Sequence, residues 1–312
     1  MRMLDLRCRT KKGTEVSFFD IIKYYISLMD RGLTMSTVEN VHKLLRPTFQ
    51  LAVRDMIIRT NPCDGALADL KKASKSKAEK RQALTYPQQK AFLDYINNNP
   101  DEIRWIPLFT VLFGTGGRIG EIIGLRWQDV DMENSTISIN HSVTYRPVYC
   151  NKGKCECHVY EPKTRSGHRI IPMLDKVKEA LIMERDNQER FGYYCTEVVD
   201  GMDDFIFCNR YGNIHKPGSI NKVLNRIVDD YNAKEQIQAA REKREPLIIS
   251  RFSCHIIRHT FCTRLCENET NIKVIQSVMG HKDIQTTLDI YADVSEQKKK
   301  ATFEQLNSRD VL

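Results

Sequence analysis

The chain has 312 residues, 41% hydrophobic and 28% charged, with a formal net charge of +8. That is the balance of a soluble globular protein, with length for one large domain or two ordinary ones. The longest nearly apolar run, around Trp105 to Phe113, is too short to cross a bilayer, and no basic-then-apolar segment opens the chain. Membrane and exported classes are therefore set aside and a cytoplasmic setting is expected. The ten cysteines are scattered, some inside apolar helical stretches (Cys262, Cys266), which reads as reduced thiols. The positive charge suits a polyanion, nucleic acid being the usual one, although basic proteins without such partners are common.

The first dozen residues are polar and irregular. From Ser17 the run FFDIIKYYISLMDRG predicts a helix stopped at Gly32. Ser36 and Glu39 form a capping-box pattern before a longer helix, whose apolar stripe is Val38, Val41, Leu45, Phe49, Ala52 and Met56, with Pro47 as a kink. Asn61-Pro62 closes this segment. Between Leu70 and Leu84, Lys71, Lys72, Lys75, Lys77, Lys80 and Arg81 face only Glu79, and no apolar residue exceeds alanine. Such a stretch builds no core and reads as a linker, either a solvated tether or a basic strap along phosphates. Thr85 and Gln88 mark a new helix start, with helices expected to about Trp127. Ile137, Ile139, His141, Val143 and Tyr145 alternate with polar neighbours as one strand, and His168 to Met173 supplies a second. Helical patterns then dominate, apart from a short strand and turn near Phe205 to Gly212 and a charged break from Lys234 to Glu245. The expected fold class is mainly α with a small antiparallel β-sheet (α+β).

Four local patterns carry chemistry. Thr115-Gly116-Gly117-Arg118-Ile119-Gly120-Glu121 is a glycine turn that delivers an arginine at a helix start. Pro162-Lys163-Thr164 precedes the second strand. His255 and Arg258 lie three apart, on one helix face. Met279-Gly280-His281 is followed ten residues later by Tyr291. Each alone has a bland reading: Arg118 as an ion-pair partner, Lys163 as a solvated lysine, His255 and Arg258 as a surface pair, His281 as a helix cap, Tyr291 as a packed side chain.

Together, in this order and spacing, they resemble the tyrosine recombinase family, the integrases of phages and conjugative transposons. The match covers nearly everything beyond the linker, and Gly32 to Asn61-Pro62 is similar to the later part of that family's helical core-binding domain. The resemblance implies a partial core-binding, DNA-clamping domain over residues 1–70, a basic linker over 71–83 and a catalytic domain over 84–312. It implies a site-specific recombinase that cleaves and rejoins double-stranded DNA, integrating or excising a mobile element as a homotetramer on two DNA sites. An accessory DNA-bending or excision factor is a possible further partner.

The implied catalytic set is Arg118, Lys163, His255, Arg258, His281 and Tyr291. Moving a phosphodiester onto a tyrosine oxygen spreads negative charge over two non-bridging oxygens, to which the planar guanidiniums of Arg118 and Arg258 can each present paired N–H donors. They supply the charge that a metal ion supplies in many nucleases, so no cofactor is expected. By the resemblance, His281 adds a hydrogen bond, Lys163 protonates the leaving 5′ oxygen, and His255 assists proton handling at the tyrosine. Tyr291 is the nucleophile, its loss of a proton eased by surrounding cations, and the product is a 3′-phosphotyrosine link that reseals without ATP. Glu121 is expected to support the turn and His259 to be structural.

Cys150, Cys155, Cys157 and His158 could form a zinc site but match no common zinc module, so an extended hairpin bearing reduced cysteines is expected. About two helices are expected before the linker, where the family's core-binding domain normally has four or five and integrases often add an arm-binding domain, so the reading leaves open whether the chain is a fragment or its start is misplaced. Beyond Ser295, Phe303 and Leu306 offer a narrow apolar stripe that the resemblance assigns to a neighbouring subunit. A type IB topoisomerase and a cleavage-inactive DNA-binding regulator of the same fold remain as alternatives.

Overall fold

The computed structural model describes residues 15–73, 82–147, 154–162 and 167–295. Lys163, Cys150, the expected linker from residue 74 to 81 and the tail stripe of Phe303 and Leu306 lie outside them. The chain divides into two compact units, Met1–Lys80 and Arg81–Leu312.

The first unit contains α1 (Phe18–Asp30), α2 (Met35–Arg54) and α3 (Ala66–Ala73). Ser17 and Asp20 cap α1 reciprocally, each side chain taking the other's backbone N–H. Ile21, Tyr25 and Leu28 face Val38, Cys63, Ala66 and Leu70 in a small core. The Asn61 side chain donates to Arg46 O at 3.0 Å and accepts the Cys63 N–H at 3.0 Å, fastening the following turn to α2. Three expectations need correction. The helix α2 starts after Thr34, so Ser36 is in its first turn and caps nothing. Its stripe serves the core as far as Phe49, whereas Met56 lies past the helix end at a left-handed φ of 56° and is 92% exposed. The last turn of α3 occupies residues read as linker. Ala66 and Leu70 are its only buried anchors, too few in eight residues to display a helical period, and Lys71 pairs with Glu39 at 2.6 Å.

The second unit opens with α4 (Tyr86–Asn98), capped by Thr85 and Gln88 as the sequence indicates. Next come α5 (Ile106–Thr115) and α6 (Ile119–Ile123). Helix α5 is apolar nearly all round and is therefore central, packing against α7 (Asp175–Phe191) and α9 (Cys254–Asn268). Strands β1 (Val130–Asp131), β2 (Thr136–Ile139) and β5 (Arg169–Pro172) form an antiparallel sheet in the order β1-β2-β5. Strands β3 (Ser142–Pro147) and β4 (Cys155–Tyr160) form a separate hairpin, Ser142 opposite Tyr160 and Pro147 opposite Cys155.

The single strand expected over 137–145 is thus two. The chain breaks at Asn140-His141 because both side chains turn inward, Asn140 to Asp129 at 2.9 Å and buried His141 to the Gly124 carbonyl. Helix α8 (Pro217–Glu242) continues through the charged run that was expected to end it. Lys243 ends the helix instead at φ 55°, and Arg244 folds back onto Glu235 and Glu242, so the run is a solvated helix face rather than a break. Near 205–214, Phe205 and Cys208 make isolated bridges to Arg126 and Ile214 rather than a strand. After α9 come α10 (Ile272–Met279) and a last helix, α11, over residues 284–295. The fold is mostly helical with small antiparallel sheets. Among the described residues no helix is long and apolar enough to cross a membrane.

Candidate active site

The site is built where the ends of two helices meet. Helix α5 ends at Thr115, and Gly116 turns the chain at φ 60°; a Cβ there would lie 2.3 Å from Phe261 Cδ1, so glycine is required on both counts. Arg118 then adopts extended backbone (φ −67°, ψ 145°) as the cap of α6. The Glu121 carboxylate accepts the Arg118 backbone N–H at 2.9 Å and its Nη1 at 2.7 Å, which fixes the arginine at the helix start with its side chain 45% exposed.

The C-terminal end of α10 is the second component. Gly280 takes φ 63° and turns the last carbonyls of the helix outward. Three successive carbonyls there accept from three different arginines. Val278 O takes Arg169 Nε at 2.9 Å, Met279 O takes Arg258 Nη2 at 2.5 Å, and Gly280 O takes Arg118 Nη2 at 3.2 Å. Arg258, buried on α9, also donates Nη1 to Gly116 O at 2.8 Å, so it bridges the negative ends of α5 and α10. Buried Arg169 leaves β5 to pair with both Glu121 oxygens, at 2.7 and 3.3 Å.

His281 follows directly, its Nδ1 2.9 Å from Thr287 Oγ1 and its carbonyl held by Gln276 Nε2 at 3.1 Å. Thr287 is fully buried on α11, and Tyr291 lies one turn further along the same helix face. Half-buried Tyr291 packs against the cluster of Cys262, Cys266, Ile275, Met279 and Val294. His255 is exposed one turn before Arg258, close enough for its charge to weigh on His281. The structure therefore gathers Arg118, Arg258 and His281 at the end of α10, with Tyr291 on the helix that holds His281 and His255 on the helix that holds Arg258. In the hairpin, alternation along β4 places Cys155 and Cys157 on one face and His158 on the other, where its Nδ1 is 3.4 Å from Asp200.

Electrostatics follow from burial and crowding. Burial alone would raise the Glu121 carboxyl, but the bond and charge of Arg169, then Arg118, hold it at about 2. Burial, then Arg118, pulls the Arg258 guanidinium down to about 9, still charged at neutral pH. Burial, then Arg258, Arg118 and Arg169, lowers His281 to about 4. Three guanidiniums against one carboxylate leave two positive charges beside a neutral imidazole, a setting that suits an anion.

His215, buried against Trp105, is likewise held at about 4 by burial and then Arg104. Both histidines bind protons in the unfolded chain, near 6.5, before they do so in the folded one. Their contribution to stability is therefore whole above about 6.5 and is lost as pH falls toward about 4. Urea midpoints are expected to fall already between pH 6.5 and 5, above the range of ordinary carboxylates, and to fall less steeply in His215→Gln. An unchanged slope in that variant would remove His215 as a source.

Residues 82–298 match the model of the phage integrase family. The chain belongs to that family. Similar curated relatives of this integrase-family chain include the transposase of transposon Tn916 from Enterococcus faecalis, 26% identical over 291 residues, covering 92% of this chain and 66% of the relative. Another is a XerC-like tyrosine recombinase of Caldanaerobacter subterraneus subsp. tengcongensis, 25% identical over 300 residues, covering 94% of this chain and 71% of the relative. The chain thus spans just under two thirds of the Tn916 protein's length. Among solved structures, the Tn1549 transposon integrase in complex with a circular-intermediate DNA superposes with a TM-score of 0.80 at 28% identity, covering 96% of this chain and 90% of that one.

Two residues of this integrase-family site escaped the sequence reading, Arg169 and Thr287. Arg169 had a usable signal: it shares the inward face of β5 with Ile171, and an arginine rarely points into a core without a partner. Thr287, four residues before Tyr291, had none beyond that spacing.

Proposed function

We propose that this chain is a site-specific DNA recombinase of the tyrosine type, which cleaves and rejoins strands through a 3′-phosphotyrosine link. The observation that carries the reading is the convergence of Arg118 and Arg258 on the end of α10, beside a His281 held by the Tyr291 helix. In the proposed reaction the Tyr291 oxygen attacks the scissile phosphorus as the bond to the 5′ oxygen breaks. Arg118 and Arg258 hold the non-bridging oxygens. A Thr287 hydroxyl donating to Nδ1 leaves the His281 proton on Nε2, free to donate to the same oxygens. His255 takes part in proton transfer at the tyrosine, and Lys163 gives the 5′ oxygen its proton. A second strand's 5′ hydroxyl then attacks the phosphotyrosine and releases Tyr291.

The partner is double-stranded DNA, gripped also by the N-terminal unit as a clamp, with four subunits acting on two sites in the cytoplasm. The similarity to an integrase solved on transposon DNA supports this reading. The test is incubation with a nicked suicide duplex carrying an end of the encoding mobile element. A covalent protein–DNA adduct supports the proposal, and its absence on a duplex that is bound would overturn it. Supercoil relaxation without strand exchange would favour a topoisomerase instead. Since the arginines supply the charge, adduct formation is expected to persist in excess EDTA. Loss on chelation with recovery on adding magnesium would contradict that role.

A further inference from the structure

Arg169 is the arginine of the cluster that the proposed chemistry leaves without a task. Its side chain is 4% exposed, and its donors face inward. One edge forms a two-point pair with Glu121, at 2.7 and 3.3 Å, while Nε reaches Val278 O at 2.9 Å and Nη1 reaches Gly167 O at 3.4 Å. Arg118 differs in being 45% exposed while sharing the same carboxylate through Nη1, at 2.7 Å. Glu121 is itself buried, 6% exposed, so its charge cannot be screened by water. Without Arg169, that carboxylate would have Arg118 as its nearby cation and would compete with a phosphate for it. The surrounding charge would drop from three cations and one anion to two cations and one anion.

We infer that Arg169 is a positioning residue: by matching the Glu121 carboxylate it leaves the exposed guanidinium of Arg118 to a phosphate, and by holding Val278 O it fixes the turn that carries His281. The second part follows from the chain, since Val278 is three residues before His281 and the turn between them is the one that presents carbonyls to all three arginines. Arg169 touches no reacting atom in this account. The inference rests on the recombinase reading for its link to cleavage, but its electrostatic half stands on the site alone.

The test compares the wild type, Arg169→Met and Arg169→Met/Glu121→Gln. The double variant restores the net charge of the cluster without restoring Arg169. Two readouts are taken: single-turnover adduct formation on the suicide duplex, and the rise in melting temperature caused by millimolar inorganic phosphate at constant ionic strength. Arg169→Met is expected to slow adduct formation on the order of 10²-fold, the scale of a misplaced reacting group. The double variant is expected to recover about tenfold over the single one, the scale of coupling within one charged network. The phosphate-dependent rise should shrink in the single variant and return in the double.

A role confined to packing would leave the double variant no better than the single one in both readouts, and that result overturns the inference. So does wild-type behaviour of Arg169→Met. A wild type that binds the duplex but forms no adduct overturns the recombinase reading, and the phosphate readout still decides the role of Arg169. Should Arg169→Met not fold, Arg169→Lys replaces it, since an ammonium keeps the charge opposite Glu121. A phosphate response preserved in Arg169→Lys with adduct formation slowed, since one ammonium keeps the charge but cannot hold both Glu121 and Val278 O, supports the inference; a diminished phosphate response or adduct formation at the wild-type rate overturns it.

Discussion

Tyr291→Phe is expected to abolish the covalent adduct with DNA while leaving DNA binding and stability nearly unchanged. The ring of Tyr291 is half-buried against Cys262, Cys266, Ile275, Met279 and Val294, and phenylalanine fills the same place. The hydrogen bond that ties α11 to the site joins the Thr287 and His281 side chains and does not use the tyrosine hydroxyl, so the helix keeps its anchor. Affinity for DNA should be set mainly by lysine and arginine contacts to phosphates, which the substitution does not touch. On the proposed mechanism the loss is of the attacking oxygen alone. Denaturing gels of the suicide-duplex reaction should show no slow-migrating species for the variant at any time. A persistent adduct would assign the nucleophile to another residue, and a large loss of binding would mean that the hydroxyl has a role in ground-state recognition.

The parts of this site that were legible in the sequence are those written in short contiguous stretches. The glycine turn before Arg118 and the glycine before His281 each encode a local backbone event, and the structure has left-handed glycines at Gly116 and Gly280. The three-residue spacing of His255 and Arg258 likewise puts both on α9, although burial separates them: Arg258 is enclosed and His255 exposed. What stayed hidden depends on partners distant in the chain. Arg169 meets Glu121 across 48 residues and Val278 across 109, and no local period announces either contact. The split of β2 from β3 was hidden for another reason. Alternation continues through His141 whether the chain runs straight or breaks, and only the inward reach of Asn140 to Asp129 decides it. Helix α8 shows the limit of periodicity, since ion pairs with Arg244, which the sequence does not rank, accompany a helical end that offers almost no apolar face.

Arg118→Lys and Arg258→Lys are expected to lose cleavage alike but stability unequally. Lysine keeps the charge and surrenders the planar fork, so on the proposed mechanism each variant loses paired N–H donors to the non-bridging oxygens, at a cost on the order of 10²–10³ in rate. The ground-state consequences differ with burial. Arg118 is 45% exposed, and an ammonium in its place can still reach Glu121, so the change in stability should stay within about 1 kcal/mol. Arg258 is enclosed, with one terminal nitrogen on Gly116 O and the other on Met279 O, 2.8 and 2.5 Å away. A single ammonium on a differently shaped stem cannot serve both carbonyls in that geometry. Leaving one buried acceptor without a donor costs about 1–3 kcal/mol, and it loosens the junction between the ends of α5 and α10. Urea unfolding and single-turnover adduct formation on the same preparations separate the two effects. If Arg258→Lys unfolds at the same urea concentration as Arg118→Lys, the bridge between the helix ends contributes nothing measurable. If Arg118→Lys cleaves at the wild-type rate, Arg118 does not contact the scissile phosphate.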